Sequence, residues 1–288
     1  MSDSVSIYGI SSDLMRRWGI STASFVADTH TSLIYRVTLD DESTAIVKAL
    51  KPRGAGELSG MEFLRWRQGM GAVGLMAQEG AVCLLEDAGA VTLREYRLLH
   101  GENASNRVIV DTLAQLHSDG GDTHAGLTPL RANFAALFTR AERETNEELS
   151  HVLRRAAGIA DELLADQTDI RPLHGDLHHD NIISGGTRGW LAIDPQGLLG
   201  DPAYDVANVF GNPLEAFDDI INPARITALM SLFAAEIGCS EDKILRYALA
   251  HAGVSICWSL EDGTLLEDNE NARERLAFFK VAISLLKP

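Results

Sequence analysis

The sequence predicts an α+β fold in two unequal lobes, a small β-rich lobe over residues 1–88 and a larger, mainly helical lobe over residues 89–288. Three observations predict it. A chain of 288 residues is about twice the usual domain length. Two short apolar runs lie before residue 51, the first with period-two alternation. Beyond residue 91 the apolar residues recur at helical spacing instead.

Residues 33–39 place Leu33, Tyr35, Val37 and Leu39 on one face of a strand, and residues 44–50 form a second apolar strand. The polar residues 40–43 join them as a hairpin. Pro52 and two glycines follow, and residues 57–70 then carry Leu58, Met61 and Leu64 near one stripe of a helix. A further strand over 81–85 ends in Glu86-Asp87-Ala88-Gly89. Helical spacing predicts helices over 107–117, 130–146, 148–166, 223–237, 241–260 and 270–286. One β-like patch interrupts them, with strands at 172–175, 182–184 and 190–193 around a glycine-rich turn. Short strands that end in polar residues inside a helical lobe mark an edge where side chains converge, so the chemistry is expected there.

Composition narrows the partners. With 45% hydrophobic and 23% charged residues the chain has ordinary globular proportions, which excludes a disordered or fibrous class. The net charge of −16 argues against nucleic acid or an anionic membrane as partner, since both need a positive surface. Residues 1–88 hold 11 acids and 8 bases, whereas residues 89–288 hold 30 acids and 17 bases, so a cation-attracting surface belongs to the second lobe. Cys83, Cys239 and Cys257 are odd in number, widely spaced and set in apolar stretches, which reads as buried thiols in a reducing compartment. Residues 1–10 show no basic segment followed by an apolar core, and the most apolar stretch, 248–260, is broken by His251 and too short to span a bilayer. A cytoplasmic location is expected.

The segment richest in reactive side chains is Leu173-His174-Gly175-Asp176-Leu177-His178-His179-Asp180-Asn181, followed by Ile193-Asp194-Pro195-Gln196-Gly197 and Gly200-Asp201-Pro202-Ala203-Tyr204-Asp205. The hairpin between Asn181 and Asp194 folds Asp176, Asn181 and Asp194 toward one another. Oxygen ligands gathered this way suit Mg²⁺.

These motifs resemble the catalytic and metal-binding loops of aminoglycoside phosphotransferases, relatives of protein kinases, and most closely the streptomycin 6-kinase branch grouped with hydroxyurea-resistance kinases. The specific likeness covers residues 173–207. The resemblance implies a protein-kinase-like fold, with residues 1–88 as the ATP lobe and residues 89–288 carrying catalysis and the acceptor pocket. It implies that Asp176 orients the acceptor hydroxyl and takes its proton, and that Asn181 and Asp194 hold Mg²⁺ against the phosphates of ATP, with GTP left open. Ala45-Ile46-Val47-Lys48 matches the kinase pattern that brings a strand lysine to the phosphates. A mid-strand ammonium needs a partner, for which Glu62 is the first candidate and Glu57 the second.

Other roles follow less directly. No Gly-x-Gly-x-x-Gly precedes the strand at residue 33, so Thr31 and Ser32 either cover the phosphates or form a plain turn. Adenine is expected at Glu86-Asp87-Ala88, where the backbone at the lobe junction reaches its edge, so that Glu86 and Ala88 are nucleotide contacts. His174 is expected to pack beneath the catalytic loop, while Asp201 and Asp205, at a helix start, tie the next segment to it. Two acidic groups, Glu215 with Asp218 and Asp219, and Glu261 with Asp262, could meet guanidinium or ammonium groups of a streptomycin-like acceptor.

Three rival readings remain at this level. A kinase for a housekeeping metabolite such as a sugar, amino alcohol or glycated amine would share the phosphate chemistry. A zinc metallohydrolase would use His174, Asp176, His178, His179 and Asp180, leaving Lys48, Asn181 and Asp194 without a role. A nucleotide-binding module without catalysis would have no need of the complete set of catalytic residue types.

Overall fold

The computed structural model describes residues 10–118 and 126–286. Residues 1–9, on which most of the reading of the N-terminus rests, lie outside the described residues, as do 119–125, 287–288 and the side chain of Asp262.

The N-terminal part is a five-stranded antiparallel sheet of β1 (Ile20–Asp28), β2 (Ser32–Leu39), β3 (Thr44–Leu50), β4 (Leu75–Glu79) and β5 (Val82–Glu86), in the order β1-β2-β3-β5-β4. The alternation in β2 and β3 has a packing cause. Tyr35, Val37, Ala45, Val47 and Leu84 turn to one face and cluster with Leu14 and Met15 of α1 (Ser12–Arg17), whose first turn is capped by Ser11. Directly opposed residues of an antiparallel pair share a face, so Ile34 and Cys83 lie on the same side as Lys48, and Arg36 and Leu85 on the same side as Ile46. This second face looks toward the rest of the molecule.

The helix expected over 57–70 is shorter. Residues Pro52–Glu57 form a 3₁₀ turn, α2 runs over Leu58–Arg67, and Gln68 ends it in the left-handed conformation. α2 lies directly on the loop after Ile193. A Cβ on Gly60 would overlap the Pro195 carbonyl oxygen, one on Gly197 would overlap that of Ser59, and Ser59 Oγ donates to Gln196 O at 2.7 Å.

Beyond β5 come α3 (Leu93–His100), opened by a Thr92–Glu95 capping box, and α4 (Glu102–Leu116), which begins five residues before the expected start at residue 107. The stretch expected as one helix over 130–146 divides at Phe134 into α5 (Leu130–Asn133) and α6 (Ala135–Arg143), preceded by β6 (Thr128–Pro129). α7 (Glu147–Ala165) follows, then the short strands β7 (Arg171–Leu173), β8 (Ile182–Ser184), β9 (Trp190–Ala192) and β10 (Leu198–Gly200). β8 and β9 form a hairpin with Ile182 opposite Ala192, and β10 sits between β6 and β7. α8 (Phe217–Ile220), α9 (Pro223–Ile237), α10 (Glu241–Ser259) and α11 (Glu270–Ala282) complete the chain, the last three opened by side-chain caps from Asn222, Ser240 and Asn269. α10 is buried along most of its length and packs on α7 and α11. Among the described residues no helix is long and apolar enough to cross a membrane.

Candidate active site

The site begins where β7 ends. Gly175 adopts φ 81°, and a Cβ there would come within 2.7 Å of Leu198, so the turn admits only glycine without rearrangement. The buried carboxylate of Asp205 accepts three hydrogen bonds beneath this turn, from Gly175 N at 2.6 Å, His174 N at 3.2 Å and His117 Nε2 at 2.8 Å. His174 is fully buried and bridges the two halves of the site. Its Nε2 donates to Ile193 O at 2.9 Å and its Nδ1 accepts from Asp176 N at 3.2 Å. Burial pushes its pKa down, which agrees with the neutral tautomer those two bonds demand.

His179 and His251 are likewise buried and pushed down to about 3. Unfolded histidines titrate near about 6.5, so below that pH the unfolded chain binds more protons than the folded one. The stability held by these neutral imidazoles is therefore complete above the unfolded pKa and declines as the pH falls below it, by about 1.4 kcal/mol per pH unit for each histidine. Thermal melts between about pH 7.5 and about pH 5, where carboxylates stay mostly charged, should show Tm falling on acidification. A flat Tm across that window would contradict neutral burial.

Asp176 is fixed from two sides. Asn181 Nδ2 donates to its backbone oxygen at 2.9 Å and to Oδ2 at 3.0 Å, and Asn208 Nδ2 donates to Oδ1 at 2.7 Å. Because the Asn181 amide nitrogen is turned to Asp176, its Oδ1 faces away, and both residues border a cavity of about 290 Å³. Asp194, at φ 56°, sits in the left-handed region, which aspartate tolerates better than most residues. Its half-exposed carboxylate borders the same cavity and lies 2.7 Å from Lys48 Nζ. On its other side Lys48 Nζ is 2.6 Å from Glu57 Oε2. Burial alone would lower the lysine pKa, but the Asp194 and Glu57 charges outweigh it and hold the ammonium above its usual value. Asn181 Oδ1 and the Asp194 carboxylate are a hard-oxygen pair beside the Lys48 ammonium, a donor set that fits Mg²⁺ carrying nucleotide phosphates.

Glu62 does not reach this lysine. It pairs with Arg65 at 2.5 Å on the outer side of α2, and Glu57 takes the place next to Lys48. The reason is their place along the chain. Glu57 ends the 3₁₀ turn before α2, whereas Glu62 lies more than one turn into the helix and faces Arg65. Thr31 and Ser32 both border the 290 Å³ cavity. The turn they belong to is held by Thr29, whose Oγ1 accepts from Ser32 N and lies 2.9 Å from Ser32 Oγ, and sequence reasoning missed that residue. The Glu86 side chain accepts from Gly74 N at 2.8 Å and pairs with Arg188 across the junction between sheet and helices, so it is spent on protein partners. Ala88 is half-buried against the main core. Arg36 reaches across to Asp87, with Nε 2.8 Å from Oδ2, and fastens the sheet to this junction.

Asp201 caps the turn at Ala203 N, accepts from Thr168 N at 2.9 Å and pairs with Lys243 at 2.5 Å. The two acidic groups separate. Glu261 borders a second cavity of about 530 Å³ together with Trp258, Asn133 and Glu57, and this cavity shares Thr31, Glu57 and Gln196 with the first. Glu215, Asp218 and Asp219 border neither cavity. Asp219 is neutralised by Arg97 at 2.5 Å, and Glu215 and Asp218 are turned to solvent at the start of α8. Asp262 lies outside the described side chains. The histidines do not converge on a metal. His174 spends both nitrogens within the loop, His178 Nδ1 accepts from Asp180 N, and among the described residues no three His, Cys, Asp or Glu are grouped to hold an ion.

Residues 17–263 match the family described as aminoglycoside/hydroxyurea antibiotic resistance kinase. The chain belongs to this family. It is 35% identical over 254 residues to the streptomycin 3''-kinase of Klebsiella pneumoniae, covering 86% of this chain and 92% of that protein. It is 26% identical over 271 residues to the streptomycin 6-kinase of Streptomyces glaucescens, covering 89% and 84%. Among solved structures, aminoglycoside phosphotransferase APH(4)-Ia superposes with a TM-score of 0.65 at 14% identity over 96% of this chain and 98% of that one. The choline/ethanolamine kinase family protein of Mesorhizobium loti does so with a TM-score of 0.64 at 15% identity over 91% and 88%. At such identities the likeness speaks to the fold, and the fold of this resistance-kinase family member is protein-kinase-like.

Proposed function

We propose that this chain transfers the γ-phosphoryl group of ATP, with Mg²⁺, to a hydroxyl of a streptomycin-like aminoglycoside in the cytoplasm. The observation that carries the reading is the convergence of Asp176, Asn181, Asp194 and the Lys48–Glu57 pair on one cavity between the sheet and the helices. Nucleotide between residues 1–88 and 89–288 would rest its base against Ile34, Ile46 and Leu85 and direct its phosphates at Lys48. Free thiols at Cys83, Cys239 and Cys257 accord with a reducing compartment.

In this reading Glu57 holds the Lys48 ammonium at the phosphates. Asp176, its carboxylate clamped by two amides, aligns the acceptor hydroxyl and accepts its proton. Asn181 Oδ1 and Asp194 would hold Mg²⁺, which when bound offsets the negative charge on the phosphates. Such chemistry asks mainly for alignment and neutralised charge, and both belong to these residues.

The acceptor is assigned to the 530 Å³ cavity, where Trp258 and Glu261 offer an aromatic face and a carboxylate to a cation. The streptomycin relatives support the acceptor class. Glu261→Gln should raise KM for streptomycin about tenfold and leave KM for ATP within about twofold, as steady-state kinetics would show. Equal changes in both constants would remove Glu261 from the acceptor site. ATP consumption with choline, ethanolamine or a sugar and none with any aminoglycoside would overturn the acceptor class in favour of a metabolite kinase.

A further inference from the structure

We propose that Asn208 and Arg275 are positioning residues for Asp176, an inference that rests on the kinase reading above. Asn208 lies in the 3₁₀ segment Ala207–Gly211 and is 8% exposed. Its amide has two ends with different company. Nδ2 donates to Asp176 Oδ1 at 2.7 Å, while Oδ1 accepts from Asn212 Nδ2 at 2.9 Å and Arg275 Nη2 at 3.2 Å. A guanidinium can only donate, so it fixes which end of the amide is oxygen. The end that remains must be the NH₂ group, and that is the end facing the Asp176 carboxylate. A flipped amide would set oxygen against carboxylate and two donors against a donor. Arg275 therefore dictates the orientation that holds Asp176.

Arg275 stands in an unusual place for a charge. It projects from α11 and is 4% exposed, and burial pushes its pKa down to about 10. The chain makes room for it at Gly211, where a Cβ would overlap Nη1. On the opposite side Arg225 grips the same segment, donating from Nη2 to Asn212 O at 2.7 Å and from Nη1 to Phe210 O at 3.2 Å. Interring a guanidinium is costly, and simple packing at this position would be met by an apolar side chain. The function that explains the charge is the fixed polarity of Asn208. With Asn181 on Oδ2 and Asn208 on Oδ1, the Asp176 carboxylate cannot rotate about its χ2 axis without breaking one of the two bonds.

The test compares the full-length enzyme with Asn208→Leu, Arg275→Met, the Asn208→Leu/Arg275→Met double variant and Asn208→Asp, using streptomycin and Mg-ATP. Asn208→Leu should lower kcat about thirtyfold or more while KM for ATP stays within about twofold, because misplacement at the reacting group acts on turnover. The double variant should fall no further than the worse single one, since both changes release the same bond. Asn208→Asp sets a carboxylate oxygen against Asp176 Oδ1 in place of the amide donor and should lower kcat at least as far as Asn208→Leu, again with KM for ATP within about twofold. Should Arg275→Met fail to fold, Asn208→Leu and Asn208→Asp decide the matter alone. A kcat within about twofold of wild type for Asn208→Leu or Asn208→Asp, or additive losses in the double variant, would each overturn the proposal. Wild type that transfers no phosphate to any acceptor would overturn the kinase reading instead, and the two failures are thus distinct.

Discussion

Asp176→Ala is expected to reduce kcat by about a thousandfold or more, with KM for ATP changed by no more than about twofold. The size follows from what the carboxylate does and where it sits. In the proposed reaction it accepts the proton of the attacking hydroxyl, and proton transfer by a positioned group contributes on the order of 10²–10⁴. The same side chain also anchors the Asn181 and Asn208 amides, so its removal leaves Asn208 Nδ2 without its acceptor, leaves Asn181 Nδ2 only the backbone oxygen of residue 176, and loosens the oxygen set assigned to Mg²⁺. Lys48 and the sheet face that would bear the base are untouched, which is why nucleotide affinity should survive. Asp176→Asn separates the two contributions, since it fills the space and keeps a polar group but cannot accept the proton as a carboxylate does. It should be nearly as inactive as the alanine variant. Steady-state kinetics on both variants, beside their melting temperatures, checks the pair.

The second large effect is expected at Lys48. Lys48→Ala should raise KM for ATP by about tenfold or more and lower kcat by about a hundredfold or more. Removing the ammonium does more than delete one positive charge. Asp194 and Glu57 lie 2.7 and 2.6 Å from Nζ, so its loss leaves two carboxylates facing one another and the incoming phosphates. Glu57→Gln should be milder in every constant, because Asp194 still holds the lysine, whereas Glu62→Gln should change neither constant by more than about twofold. A Glu62→Gln variant as impaired as Glu57→Gln would contradict this geometry.

These expectations drew unequally on the sequence. The meeting of Asp176, Asn181 and Asp194 at one cavity was legible because they stand in two short motifs joined by a single hairpin, which folds the loops toward one another. Lys48 was legible because an ammonium is conspicuous inside an apolar strand. The partner of Lys48 was not, since the choice between Glu57 and Glu62 turns on where α2 begins, and a 3₁₀ turn moved that start to Leu58. β1 escaped because it is an edge strand with few buried residues and no alternation to read. α3 escaped because it is short and leaves Leu98 and Leu99 in solvent, which blurs its apolar stripe. Clustered acids in sequence gave no guide to the acceptor surface, for Asp219 is spent on Arg97 while Glu261 alone of the described acidic candidates borders a cavity. Asn208 and Arg275 are 67 residues apart, and nothing local in either segment announces their meeting.

Transfer from γ-labelled ATP to streptomycin, with the product resolved by mass and ³¹P spectroscopy, tests the central claim most directly. Wild type with Mg²⁺ should yield streptomycin carrying one phosphate ester, and Asp176→Ala should yield none above background. Product formed equally by both proteins, or label that passes only to water, would contradict it.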